Sequence, residues 1–163
     1  MIEFPHLGGG ALAPLVPFLI LCGGGLLLVA IDAALRGGKF PWGFATAAIA
    51  AGAIVSYAAN WPTRPGQTPF GAQFVQDSFG ATIGVLVCLA TILAALLSSS
   101  YLEKMGRSRG EYYALVLFSA SGMVLFASTT ELLSLFLGLE LLSIPVYVLS
   151  GYLRTDSKSL EAG

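Results

Sequence analysis

Charged residues in this chain fall in short groups, and the stretches between them are almost wholly apolar. Five such stretches are long enough to cross a bilayer as helices, since about 20 helical residues span roughly 30 Å of hydrocarbon. The pattern predicts spans at 11–35, 40–59, 79–100, 112–129 and 132–152. Pro14 and Pro17 fall near the start of the first span, where a helix tolerates proline best. Between the second and third spans, Asn60 to Gly71 holds three prolines and two glycines and predicts a loop. The fourth and fifth spans are nearly continuous. Ser128, Thr129 and Thr130 are candidate caps for the fifth, and Glu131 suits its first turn as a solvated anion at the helix dipole. The fold class predicted is all-α, a single transmembrane domain of five helices.

Composition supports this. Hydrophobic residues make up 56% of the 163, only 10% are charged, and mean hydropathy is +0.81. A soluble domain carries about 25% charged residues. The net charge of −1 and the absence of a basic patch give no means of holding nucleic acid.

The cations also predict an orientation. With five spans, Arg36, Lys39, Lys104, Arg107, Arg109, Arg154 and Lys158 fall on one side and Arg64 alone on the other. Cytoplasmic loops carry the Lys/Arg excess, so the N-terminus is expected outside and the C-terminus in the cytoplasm. The first span is expected to be permanent rather than a cleaved signal peptide. Met1 to Gly10 lacks a cation, and the apolar run is too long.

Glu140 is the residue that points to chemistry. It sits in the middle of the fifth span, where an ionised carboxylate costs at least about 2.5–3.5 kcal/mol. Such a group moves a proton or ion, or it pairs with a partner. Ser143, Tyr147 and Ser150 share its helical face and extend a polar stripe toward the cytoplasmic end. Pro145 lacks an N–H, so the carbonyl of Leu141 loses its usual donor, and a bend with a hydrated pocket beside Glu140 is expected. The stripe suits a proton path with waters in the gaps. The alternative is that Glu140 is a protonated interhelical link, with Ser143 and Ser150 bonded to carbonyls of their own helix. No Lys or Arg lies within a span, so a cationic partner for Glu140 is expected from outside this sequence.

Other groups carry less. Cys22 and Cys88 fall inside spans and read as small buried apolar residues. His6 is alone near the terminus. Gly23, Gly24 and Gly25 suggest a close helix contact. Gly8-Gly9-Gly10 has neither the strand nor the lysine of a phosphate loop. No motif for a nicotinamide, flavin, haem, iron–sulfur cluster or metal is present, so no cofactor is expected in this chain.

Glu111-Tyr112-Tyr113-Ala114-Leu115, the run from Thr130 through Glu140 to Leu149, and Ser159-Leu160-Glu161-Ala162 resemble subunit N of the proton-pumping NADH:quinone oxidoreductases (respiratory complex I). Gly138-Leu139-Glu140-Leu141 resembles subunit N rather than its paralogues M and L, which usually have tryptophan before this glutamate. The resemblance is specific from about Gly110 to Ala162. It implies a partial antiporter-like fold, a piece of a many-helix subunit truncated after Gly163. It further implies proton translocation coupled to electron transfer from NADH to quinone, with Glu140 as the relay opposite lysines of later spans. NADH, FMN, iron–sulfur clusters and quinone would belong to other subunits, and the partners would be other membrane subunits of complex I in the bacterial inner membrane. A subunit of a multisubunit cation/proton antiporter or a membrane hydrogenase, or a structural membrane fragment without transport, stand as alternatives.

Overall fold

The structure, a computed structural model, describes residues 13–35, 40–62, 74–106 and 109–152. Among these, every regular element is helical apart from an isolated β-bridge at Gln76. A 3-10 turn, Ala13–Leu15, leads into α1 (Val16–Leu35). It is followed by α2 (Trp42–Ala59), α3 (Ser78–Lys104), α4 (Gly110–Ala127) and α5 (Leu132–Ser150). All five are long and apolar enough to cross a membrane. Leu26, Phe44, Val55, Leu93 and Leu97 are exposed on the outside of the bundle, as a lipid solvent requires rather than water. His6, Gly8 to Gly10, Arg64 and the loop around it lie outside the described residues.

The ends differ from the sequence expectation in instructive ways. The second span starts at Trp42 and the fourth at Gly110. The third continues four residues past Ser100 and takes in Lys104. Nothing in Tyr101-Leu102-Glu103 breaks a helix, and a cation in the last turn suits the negative end of its dipole. Gly106 stops the chain just beyond, with φ 64°, a left-handed conformation that glycine adopts without strain. At its other end α3 is capped by Asp77, whose Oδ1 accepts from the Gly80 N–H at 2.7 Å.

Small residues set the packing. α4 is the hub, touching α1, α2, α3 and α5. Half of its apolar window is buried, against 11% for α5, which packs on α4 and lies at the edge. Gly24 of α1 leaves room for Ile49 of α2, and Gly25 for Phe118 of α4, so two of the three glycines of the run make the close contacts expected, while Gly23 faces open space. Gly84 of α3 receives the Tyr57 ring of α2. Gly110, the first residue of α4, lies against Leu28 and Asp32 of α1 and the Trp42 ring. Without a strong apolar drive between helices in lipid, such close backbone approach supplies the association through van der Waals contact.

The tightest approach of backbone to backbone at a glycine joins α4 to α5. A Cβ on Gly122 would stand 2.7 Å from the Leu141 carbonyl carbon and 2.9 Å from the Gly138 oxygen, and would also strike the Leu142 nitrogen. A Cβ on Gly138 would stand 2.9 Å from the Phe126 nitrogen. Backbone meets backbone, so neither side can yield by rotating a side chain. Gly122→Val is therefore expected to force the helices apart, an overpacking cost of about 1–3 kcal/mol. Gly52→Ala, whose Cβ meets nothing within 4 Å, is the control and should be neutral or slightly stabilising. Thermal melting of the purified protein checks both, and equal melting of the two variants would contradict the contact.

Candidate functional site: the outward face of α5

α5 presents Gly138, Leu141, Leu142 and Pro145 to α4. Glu140 is two residues from Gly138, about 200° around a helix of 3.6 residues per turn, and so lies on the far side. Ser143, Tyr147 and Ser150 share that far face. No other described helix packs against it. Glu140 is half-buried and Tyr147 is 64% exposed. The polar stripe thus exists as a geometric feature, and it points away from the five-helix bundle rather than into it.

The hydroxyls are oriented by their own helix. Ser143 Oγ donates to the Leu139 carbonyl at 2.7 Å, and Ser150 Oγ donates to the Tyr147 carbonyl at 2.7 Å. The Ser143 donor is thus turned back onto α5, leaving its oxygen lone pairs as acceptors on the stripe. Pro145 is buried within a continuous α5. The Leu141–Leu142 peptide lies against Gly122, on the side opposite Glu140. On the Gly122 side, then, α4 covers the Leu141–Leu142 peptide. The reason is that α5 turns its smallest residue, Gly138, and the compact Pro145 ring toward its neighbour, which rotates Glu140 outward.

At the other end of α5, Glu131 departs from its expected role. It is the N-cap residue rather than a member of the first turn, and its own side chain makes no cap hydrogen bond. Thr129 Oγ1 instead accepts from the Glu131 N–H at 3.3 Å. Oε2 of Glu131 is enclosed and has no hydrogen-bond partner among the described residues, while the residue as a whole is half-buried. The segment before α3 crosses this corner, where the Val75 N–H donates to the Ser128 carbonyl at 2.6 Å. The neighbouring Gln76, only 3% exposed, has both amide atoms unpaired among the described residues.

Asp32 was not singled out in the sequence and is 8% exposed in the structure. It stands where α1 meets the start of α4, and its Cβ is 2.8 Å from the position a Cβ on Gly110 would occupy. An anion there is favoured by the positive end of the α4 dipole. The signal was available: Leu21, Gly24, Gly25, Leu28 and Asp32 follow helical spacing, so Asp32 continues the buried face of α1. Cys22 and Cys88 are free thiols, half-buried and buried. Among the described residues no group of three or more His, Cys, Asp or Glu converges as a metal site would.

No family model matches the chain. Curated relatives do. NADH-quinone oxidoreductase subunit N of Myxococcus xanthus is 36% identical over 99% of this chain, and that of Rhizorhabdus wittichii is 35% identical over 94%. The protein of the same name from Moorella thermoacetica is 46% identical over 55% of it. The chain spans about a third of the length of these first two relatives, 31% and 32%. Identity of 34–36% over 93–99% of this chain makes it a homologue of part of the NADH-quinone oxidoreductase subunit N proteins.

Proposed function

We propose that this chain contributes to a membrane subunit that translocates protons, coupled to electron transfer from NADH to quinone, and that Glu140 is its relay. The observation that carries the reading is the placement of Glu140. It is the acid in the middle of α5, and it faces away from every other described helix. A carboxylate kept at that depth against lipid alone is costly. The uncovered face therefore suits a polar or cationic partner supplied by protein outside the described residues. Approach of an ammonium favours the ionised carboxylate, and its withdrawal favours the protonated one, so a moving cation would release and load a proton. The lone pairs of Ser143 would accept hydrogen bonds from water along the stripe, and Tyr147 and Ser150 would continue the line of hydroxyls. Pro145 would serve by presenting a compact ring to α4 and fixing the rotation of α5. In this reading NADH, FMN, iron–sulfur clusters and quinone are held by other subunits. The chain sits in a bacterial inner membrane beside other membrane subunits of the complex.

Two experiments follow. In membranes with matched amounts of assembled complex, Glu140→Gln is expected to lower proton pumping several-fold while assembly survives. Gln keeps the volume and hydrogen-bonding reach of Glu but cannot ionise. Glu131→Gln is expected to stay close to the parent. Acidification measured alongside NADH oxidation reads both, and normal pumping by Glu140→Gln with failure of Glu131→Gln would reassign the relay.

The second concerns orientation, with Lys104 and Arg109 placed in the cytoplasm by the cation excess. A cysteine at Lys104, which is exposed at the end of α3, should react with an impermeant maleimide only from the cytoplasmic side. One at Trp61, exposed just after α2, should react only from outside. The reverse pattern would invert the topology.

A further inference from the structure

At the end of the bundle that carries Arg109, a groove of about 470 Å³ opens between the start of α4 and the end of α5. Arg109 and Glu111 both line it, and both are exposed. Neither forms an ion pair or side-chain hydrogen bond with another described residue. Leu115, one turn deeper on α4, and Val148, one turn deeper on α5, give the groove an apolar floor. Tyr152 closes one side, its ring held edge-on to Tyr112 at 5.3 Å between centroids. Tyrosines at this level mark the boundary between hydrocarbon and headgroups.

We propose that this groove seats the headgroup of an aminophospholipid of the phosphatidylethanolamine type. Its phosphate would lie on the Arg109 guanidinium and its ammonium on the Glu111 carboxylate, with acyl chains running over Leu115 and Val148. Charge complementarity selects this occupant. One cation and one anion in the same groove, both unpaired among the described residues, match a zwitterion whose two charges are separated by a short linker. A purely anionic headgroup would satisfy Arg109 and be repelled by Glu111. A protein helix laid in the groove would have to bury both charges and pair both. A guanidinium binds phosphate through paired N–H donors, and a primary ammonium donates to carboxylate, so each contact is a charge-assisted hydrogen bond. The inference needs only that these helices cross a membrane, and it stands apart from the role of Glu140.

The test uses the whole complex containing the full-length subunit, purified in mild detergent. Bound lipid is quantified by extraction and mass spectrometry, and the groove is inspected in a high-resolution density map. Arg109→Gln and Glu111→Gln are each expected to retain less phosphatidylethanolamine than the parent. Delipidated parent complex is then reloaded separately with phosphatidylethanolamine, phosphatidylcholine and phosphatidylglycerol. The first should return density between Arg109 and Glu111. Phosphatidylcholine, which has no N–H to donate, and phosphatidylglycerol, which has no cation, should not. The proposal is overturned if both variants retain parental amounts, if phosphatidylglycerol fills the groove as well as phosphatidylethanolamine, or if the map shows a protein segment lying in it. The reloading and the map read the parent alone, so they decide the matter even if a variant fails to assemble.

Discussion

The contact of Gly122 with the Leu141–Leu142 peptide and Gly138 is the constraint on which the functional face depends. α5 is fastened to the bundle through α4, and this is where the two backbones come closest. In lipid there is no water to expel from between helices, so the association rests on packing density and on distance. A side chain on either glycine would push α5 outward. The same contact also fixes the rotation of α5. With Gly138 and Pro145 against α4, Glu140 and the hydroxyls of Ser143, Tyr147 and Ser150 have no choice but to face the other way.

That rotation gives a division of labour within one chain. α1 to α4 form a buried core stitched by small-residue contacts, Gly24 to Ile49, Gly25 to Phe118 and Gly84 to Tyr57. α5 stands at its edge and carries a carboxylate on a face that the described residues leave open. Asp32 of α1, by contrast, is buried where α1 meets the start of α4. The two acids have the same chemistry and different surroundings.

Much of this was legible in the chain before its structure. The span count followed from apolar length, and the shared face of Glu140, Ser143, Tyr147 and Ser150 followed from 3.6-residue spacing. The glycine run in α1 announced close packing because glycine is otherwise a poor helix former. What spacing alone does not give is the direction in which a face points. Nothing in α5 announces that Gly138 rather than Glu140 meets the neighbour, since that depends on Gly122, sixteen residues away on another helix. Asp32 was overlooked for a related reason. Near the end of a span and beside Arg36 and Lys39, it looks like a boundary charge, and its burial comes from Gly110 and Trp42, which are distant in sequence. The enclosure of one Glu131 oxygen was not legible either, since spacing does not show that the segment before α3 meets Ser128 beside it.

The central claim is that Glu140 exchanges a proton as the complex turns over. Infrared difference spectroscopy of the assembled complex, oxidised against NADH-reduced, reads this directly through the carboxyl C=O stretch, with the Glu140→Gln complex identifying the band. The account predicts a carboxyl signal in the difference spectrum that disappears in Glu140→Gln and remains in Glu131→Gln. A parent spectrum in which no carboxyl band depends on Glu140 would contradict it, and would leave this glutamate as a fixed polar link between helices.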